Sequence, residues 1–390
     1  MLNYRLTTTD DQLQFYQLYL YAFNGADTQQ RRAFFNPRYE HALTYGIKED
    51  GQLVSGLYSL PFTVNFHGRR YHMNGIGDVM SAPEYSGRGG ASQLLRAALQ
   101  DMDAAGVELS YLAPFSLTFY RRFGYEQVFN HIEYRIASRD FALARSAATG
   151  TIERGPLSKM APAIKPLYVR SAISQRGGVE RPDWWWDYLY LRNRWDAAVY
   201  RDASGVAQGY LIYSRESEQL VIKEFVAATN AARQQLLGFV AKHKVTFKEL
   251  VYDAPDTDLW ADYLPNADAV EATIKPYMMA RIVNLPAFMR KYPLAAGTQA
   301  DVTFKLRDDT IAANDGYWRL QVGAGKIELT QVEATPAAAQ MSIQRLSQIL
   351  LGAQSATALR ARGQIVATAA QAAQLDAVRV KQTPALVDYF

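Results

Sequence analysis

Apolar positions recur with a helical period in LQFYQLYLYAF, residues 13–23, and run or alternate through GIKEDGQLVSGLYSL and FTVNFHGRRYHMNGIGDVMS. The first pattern predicts a helix, opened by a capping box at Thr9 and Gln12. The other two predict strands folded back at Asp50-Gly51 and His67-Gly68, dipeptides suited to tight hairpins. A later helix keeps Leu94, Leu95, Ala98, Leu99 and Met102 on one face and stops at Gly106, a natural helix-ending residue. VELSYLAP then reads as a strand, LTFYRRF as a short helix closed by Gly124, and YEQVF as a further strand. The first 135 residues are therefore expected to mix α and β.

The same layout returns farther along. LVIKEFVAATNAARQQLLGF repeats the strand-then-helix order of GDVMSAPEYSGRGGASQLLRA but carries no glycine between its strand and its helix. This predicts an internal duplication in which the second copy lacks the glycine loop. Between the copies lies RPDWWWDYLYLRNRW, whose three consecutive tryptophans cannot share one helix face and are expected to pack between domains. From about residue 295 the chain turns rich in alanine and glutamine. There VTFKLRDDT, an Asn314-Asp315-Gly316 turn, YWRLQVGAG and KIELTQVE predict an antiparallel sheet, followed by helices from SIQRLSQILLGA onward. The final TPALVDYF is too apolar for a frayed end and is expected to be tucked in.

At 390 residues the chain exceeds one ordinary core, since about 150 residues per domain is usual. Half-apolar composition (49%) with 21% charged residues fits a soluble globular protein. No run of about 18 apolar residues predicts a membrane span, and the first residues lack the basic-then-apolar order of a signal peptide. Cysteine is absent, which excludes disulfides, thiolate metal sites and a cysteine nucleophile, and fits a cytoplasmic location. The net charge of +4 forms no basic stripe, so nucleic acid is not an expected partner. The five histidines (His41, His67, His72, His131 and His243) show no metal-ligand spacing, and no metal is expected.

The chemistry concentrates in APEYSGRGGASQLL, residues 82–95, where glycines meet a helix start. Amides at a helix N-terminus have no partner in the helix, and the dipole makes that end positive. Gly87, Arg88, Gly89, Gly90 and Ala91 suit a diphosphate, with Arg88 able to add charge. Two familiar phosphate motifs fail. Gly325-Lys326 has Leu320 where a P-loop needs glycine and Ile327 where it needs a hydroxyl, and Gly87, Gly89 and Ser92 do not complete a dinucleotide fingerprint. From these residues alone, a plain turn and a phosphate cradle both stand.

The stretch Ser86-Gly87-Arg88-Gly89-Gly90-Ala91 resembles the R/Q-x-x-G-x-G/A motif of the GNAT acetyltransferases, with Ser86 in place of the usual Arg or Gln. VMSAPE matches the strand end before that motif, and LTFYRRFGYE looks like the superfamily's tyrosine-bearing second signature. A cradle-bearing unit, a second unit without it, and a C-terminal segment whose SIQRLSQILLGAQSATALRARGQI is similar to a sterol-carrier fold together resemble the Eis (enhanced intracellular survival) family. The resemblance implies an α+β fold: two GNAT-like mixed-sheet domains, residues 1–145 and 146–290, then a sterol-carrier-like domain, residues 291–390. It also implies acetyl-CoA as donor, a small or polycationic amine (aminoglycoside-like) as acceptor, and a homo-oligomer, a hexamer in Eis-like proteins.

Site roles follow from the resemblance residue by residue. Ser86 to Ala91 would hold the diphosphate, and backbone N–H groups of Val79, Met80 and Ser81 would polarise the thioester carbonyl. Tyr120 is the expected acid for the departing thiolate, a thiol near about 8.5 and a phenol near about 10 being close enough to share a proton. The α-carboxylate of Phe390 would accept the amine proton; at about 3.5 it is a weak base and needs burial or a water relay. Without cysteine, direct transfer is expected. Asp27 and Asp388 are candidates to face a cationic acceptor. The competing reading keeps the scaffold and drops the enzyme, leaving a CoA- or lipid-binding protein.

Overall fold

The computed structural model describes residues 4–141, 149–255, 262 and 266–390. It divides into two compact units, Met1–Phe129 with Tyr277–Pro384 and Tyr389–Phe390, and Asn130–Pro276 with Ala385–Asp388.

The first unit opens with helices α1 (Thr9–Ala22) and α2 (Gln29–His41). The capping box lies one residue earlier than the pattern suggested. Thr8 Oγ accepts the Asp11 N–H at 3.1 Å, and the Asp11 carboxylate accepts the Thr8 N–H at 2.9 Å. Thr9 is already helical. Strands β1 (Leu43–Glu49), β2 (Gln52–Phe66) and β3 (Arg69–Ser81) follow as an antiparallel meander. Their turns fall at Asp50-Gly51 and His67-Gly68, with φ of 49° and 81°, then 51° and 80°, the left-handed pair that a two-residue hairpin requires. Helix α3 (Gly90–Ala104) buries Leu94, Leu95, Ala98, Leu99 and Met102, as its period predicts, and ends before Gly106 at φ 70°. Strand β4 (Leu109–Leu112) returns parallel to β3, and α4 (Leu117–Arg121) leads into β5 (Glu126–Ala137).

The second unit takes β5 from residue 130 onward. It contains β6 (Thr151–Pro156), α5 (Leu157–Arg170), α6 (Ala172–Gln175), β7 (Arg176–Val179) and α7 (Asp183–Asn193). There follow β8 (Asp196–Arg201), β9 (Ala207–Glu216), β10 (Gln219–Ala227), α8 (Asn230–Ala241), β11 (Glu249–Ala254) and β12 (Val270–Ile282). Its pairing reproduces the first unit's: β8, β9 and β10 are antiparallel neighbours, β11 is parallel to β10, and β5 is antiparallel to β11. In the first unit the corresponding last strand is the end of β12, which pairs antiparallel with β4 from Met279 to Ile282. Each sheet thus takes its last strand from beyond its own stretch of chain, a connection that sequence order alone does not reveal.

The three-tryptophan segment is α7. Trp185 and Trp186 are buried in the second unit. Trp185 Nε1 donates to Asp388 at 2.7 Å, and Trp186 lies 4.6 Å from the Arg181 guanidinium, so both are held by this unit's own buried charges.

The C-terminal segment belongs to the first unit. After α9 (Leu285–Arg290) come β13 (Ala300–Arg307), β14 (Gly316–Gly323), β15 (Lys326–Gln331) and β16 (Ala339–Ser342). They form a four-stranded sheet in the order β15-β14-β13-β16, antiparallel except that β16 runs parallel to β13. Helices α10 (Ile343–Leu350), α11 (Ala356–Ala361) and α12 (Ala369–Val378) complete it. The fold is α+β, with mixed sheets throughout.

Candidate active site

The site begins where β3 stops behaving as a regular strand. Its register with β2 runs Tyr58↔Gly77 and then Gly56↔Met80, which leaves one extra residue on β3 at Asp78-Val79. Asp78 adopts φ 46°, uncommon for a residue with a side chain. Its carboxylate is ion-paired with Arg38, both side chains being buried. Arg38 lies over the Tyr58 ring at 4.6 Å and donates to the Tyr58 hydroxyl at 3.3 Å. On the other edge, β3 pairs with β4 only from Met73↔Leu109 to Ile76↔Leu112, although β3 continues to Ser81. β4 itself ends at Leu112, opposite Ile76, so it gives β3 no partner from Gly77 to Ser81.

A cavity of about 510 Å³ opens there, lined by Val79, Met80 and Ser81 on the strand side. Its next wall is the glycine loop: Ser86, Gly87, Gly89, Gly90 and Ala91, with Tyr85 and Ser92. Pro83–Tyr85 form a short 3₁₀ turn that Ser86 N–H and Arg88 N–H close on Pro83 O and Tyr85 O at 3.1 and 3.3 Å. Gly87 and Gly89 then take φ of 80° and 87°, a region costly for other residues. Gly89 is the N-cap of α3, and no side chain caps that helix. A β-carbon on Gly90 would lie 2.4 Å from Ser55 Oγ, so only glycine lets the helix start this close to β2. In the second unit the equivalent helix α8 starts at Thr229, whose side chain accepts the Ala232 N–H at 3.1 Å. One copy satisfies its helix start internally; the other leaves it open toward a cavity.

The far wall is Phe115, Phe119 and Arg122. Arg122 stacks on Phe119, its guanidinium 4.9 Å from the ring centroid. Sequence reasoning did not single out Arg122. Its signal was there, as the second arginine of FYRRFGY, one turn from an aromatic pair. The Arg88 side chain, by contrast, is not in the wall. It lies over Tyr85 at 4.6 Å and 3.8 Å from the Glu49 carboxylate.

Tyr120 sits in α4, which Ser116 caps by accepting the Phe119 N–H at 3.3 Å. The ring is buried among the core residues beneath α3 and packs edge-on against Phe115 and Phe119, at 5.2 and 5.0 Å. Tyr120 is thus one layer behind the aromatic wall. Burial holds its phenol well above the usual tyrosine range, and the nearby Tyr125 and Tyr389 phenols add to the effect. Tyr125, held at 2.7 Å from Ser110 Oγ, is pushed up to about 12, chiefly by burial.

Phe390 is buried on the same strand as the bulge, its ring over Gly75 and 5.5 Å from Phe62. The apolar C-terminal end is therefore tucked in, as its composition predicts. Of the candidate acceptor carboxylates, Asp27 is 44% exposed, held by Arg32 at 2.5 Å and by the Tyr16 hydroxyl at 2.8 Å. Asp388 is fully buried in the second unit, paired with Arg181 at 2.8 Å. Among the described residues no group of three or more metal-ligating side chains comes together. Nor is any described helix long and apolar enough to cross a membrane.

The end of β3 beyond its pairing with β4 and the uncapped, glycine-rich start of α3 line one cavity, with open helix N-terminal amides suited to an anionic group. The comparisons agree. Residues 3–128 and 177–282 each match models of the acetyltransferase (GNAT) domain, and residues 285–387 match the sterol carrier protein domain. A structure from Enterococcus faecalis V583, described as a probable N-acyltransferase, is 36% identical, with 100% of this chain and 99% of that one covered and a TM-score of 0.93. A GCN5-related N-acetyltransferase from Anabaena variabilis is 24% identical over 100% of both chains, with a TM-score of 0.87. Eis1 from Mycobacterium abscessus shares the fold at 20% identity, with 99% of each chain covered and a TM-score of 0.81. A search of the curated proteins found no match. The chain belongs to the GNAT acetyltransferases, two GNAT domains joined to a sterol carrier protein domain in a fold it shares with Eis1, and is an N-acetyltransferase. The non-catalytic alternative gives way to the enzyme.

Proposed function

We propose that this chain transfers the acetyl group of acetyl-CoA directly to an amine of a small, polycationic acceptor. The observation that carries the proposal is the one cavity lined both by the end of β3 that runs past β4 and by the uncapped start of α3.

The open amides at Gly89 to Ala91 and the helix dipole would hold the diphosphate. Arg122, on the opposite wall, supplies the charge that Ser86 does not. The thioester carbonyl would lie against Val79–Ser81, where the bulge turns backbone N–H groups away from regular pairing. As the amine nitrogen bonds to the carbonyl carbon, negative charge gathers on the oxygen facing those amides. Collapse breaks the carbon–sulfur bond, and the Tyr120 O–H, set behind Phe115 and Phe119, would supply the proton to the departing sulfur through a water relay. The amine proton passes to the Phe390 carboxylate through water. Asp27, the exposed candidate, can trade Arg32 for a second ammonium of the acceptor.

Calorimetric titration with acetyl-CoA, on the native chain and on Gly89→Asp, tests the cradle. Micromolar binding that the new carboxylate abolishes supports the reading. Equal affinity in both proteins would place the diphosphate elsewhere. A panel of mono- and polyamines then ranks acceptors by kcat/KM.

A further inference from the structure

The turn that follows Tyr120 is short, its N–H groups bonded within itself and to α4, and the C-terminal segment holds it at its two ends. Gln344 Nε2 donates to the Arg121 carbonyl at 2.7 Å, and Gln348 Nε2 donates to the Gln127 carbonyl at 2.9 Å. Between these two points, Arg345 lies 3.2 Å from the buried Glu126 carboxylate. That carboxylate also takes a two-point bond from Arg121, at 2.8 and 3.0 Å. Gln344, Arg345 and Gln348 are all on α10, spaced to present one helix face.

A second support reaches the middle of the turn. Arg281 is wholly buried and donates to the Phe123 carbonyl, while its other nitrogen pairs with Asp308 of the C-terminal sheet segment at 2.6 Å. Gly124 has φ 84°, and a β-carbon there would lie 2.5 Å from the Arg281 guanidinium, so the turn and the arginine fit only because the residue is glycine. Asp308 is fixed in turn by the N–H groups of Thr310 and Ile311, both at 3.1 Å, and by Asn314 at 2.9 Å. Ile311 belongs to the same buried cluster as Tyr120.

We infer that the sterol-carrier segment is a positioning device for acetyl transfer: α10, through Gln344 and Gln348, and Asp308, through Arg281, set the place of the Tyr120 phenol. The inference rests on the reading of Tyr120 as the acid. Gln344, Gln348, Arg281 and Asp308 do not line the cofactor cavity, whereas Arg122 of the same turn does, so acetyl-CoA affinity is read beside kcat to separate the two effects. Gln344 and Gln348 are positioning residues, since they act through the carbonyls of the turn.

The test is a cycle of four proteins: native, Gln344→Ala/Gln348→Ala, Tyr120→Phe, and the three changes together. Loss of the two anchors should lower kcat roughly tenfold, as expected for a displaced catalytic group, with the amine KM unchanged and acetyl-CoA affinity falling by less than kcat. In the Tyr120→Phe background the same two changes should do nothing further, because the group they position is gone. An Asp308→Asn protein that remains folded should behave like the glutamine pair. Native-like kcat in the glutamine variant, or an equal fall in both backgrounds, would overturn the inference while leaving a slow Tyr120→Phe enzyme as evidence for the acid. A Tyr120→Phe enzyme of full activity would remove the acid itself, and the inference with it.

Discussion

The ring of Phe390 fills the place of a side chain on Gly75: a β-carbon built there would lie 2.7 Å from the ring's Cγ. Gly75 is paired on both sides, with Leu60 and with Tyr111, so β3 cannot shift to make room. Gly75→Ala should therefore expel the ring without disturbing the sheet. If the terminal carboxylate takes the amine proton, kcat falls by about tenfold or more. Acetyl-CoA affinity, measured by titration, stays the same, because the cavity wall starts only at Val79. Full turnover in Gly75→Ala would detach Phe390 from the chemistry.

The two arginines near the loop make opposite predictions. Arg122 lines the cavity, whereas the Arg88 side chain is occupied by Tyr85 and Glu49. A charge-assisted contact is worth about 1.5–3 kcal/mol, so Arg122→Ala should weaken acetyl-CoA binding roughly tenfold or more. The loss should shrink as salt is raised. Arg88→Ala should cost less than Arg122→Ala at every salt concentration. The reverse order, read by calorimetry, would mean that Arg88 swings into the site on binding.

Much of this architecture could be read from local pattern. Asp50-Gly51 and His67-Gly68 are hairpin signals because two adjacent residues must take positive φ, and few dipeptides do so cheaply. The buried face of α3 follows from its period alone. The bulge at Asp78 was not legible, since its partner Arg38 is 40 residues away and is held by aromatic rings from other elements. The crossed strands β5 and β12 were hidden for the same reason, because period and turn chemistry do not say which sheet a strand joins. The capping box slipped by one residue because Thr8 and Thr9 read alike. Asp11 decides it: its carboxylate reaches the N–H groups of both Thr7 and Thr8 at 2.9 Å. For the tryptophans, indole size did not name the partner: the buried Asp388 carboxylate, 203 residues along the chain, needs a donor such as Trp185 Nε1.

That capping box also makes an acid-sensitive element. Burial opposes the Asp11 charge, but the Lys48 ammonium at 2.6 Å and the two backbone N–H groups outweigh it, holding the carboxyl well below its usual range. A depressed carboxyl contributes stability that is present above its unfolded value, about 3.9, and is lost as pH falls below it. Thr8→Ala should cost about 1 kcal/mol at neutral pH. Asp11→Asn should lower the melting temperature at pH 7 and flatten its fall between about pH 5 and pH 3 relative to the native chain. Thermal unfolding across that range checks both; parallel curves for native and Asp11→Asn would mean that other carboxylates govern acid unfolding.

Tyr120 offers the sharpest separation of binding from chemistry. Its ring packs on Phe115 and Phe119, which line the cavity, while its hydroxyl makes no part of the wall. Tyr120→Phe keeps the ring and removes only the hydroxyl, so acetyl-CoA affinity and protein stability should stay near native. Losing a general acid costs about a hundredfold or more in kcat. The pH profile adds an independent check. Burial raises the phenol, so the acid form persists above the ordinary tyrosine value of about 10. The native enzyme should therefore show no alkaline loss of kcat from this group below pH of about 10. Any alkaline limb seen at lower pH belongs to another group and should survive in Tyr120→Phe at the same position. A limb near pH 8 or 9 that disappears in the variant would mean that the phenol ionises far more easily than its buried setting allows, and the proton would have to reach the sulfur by another route.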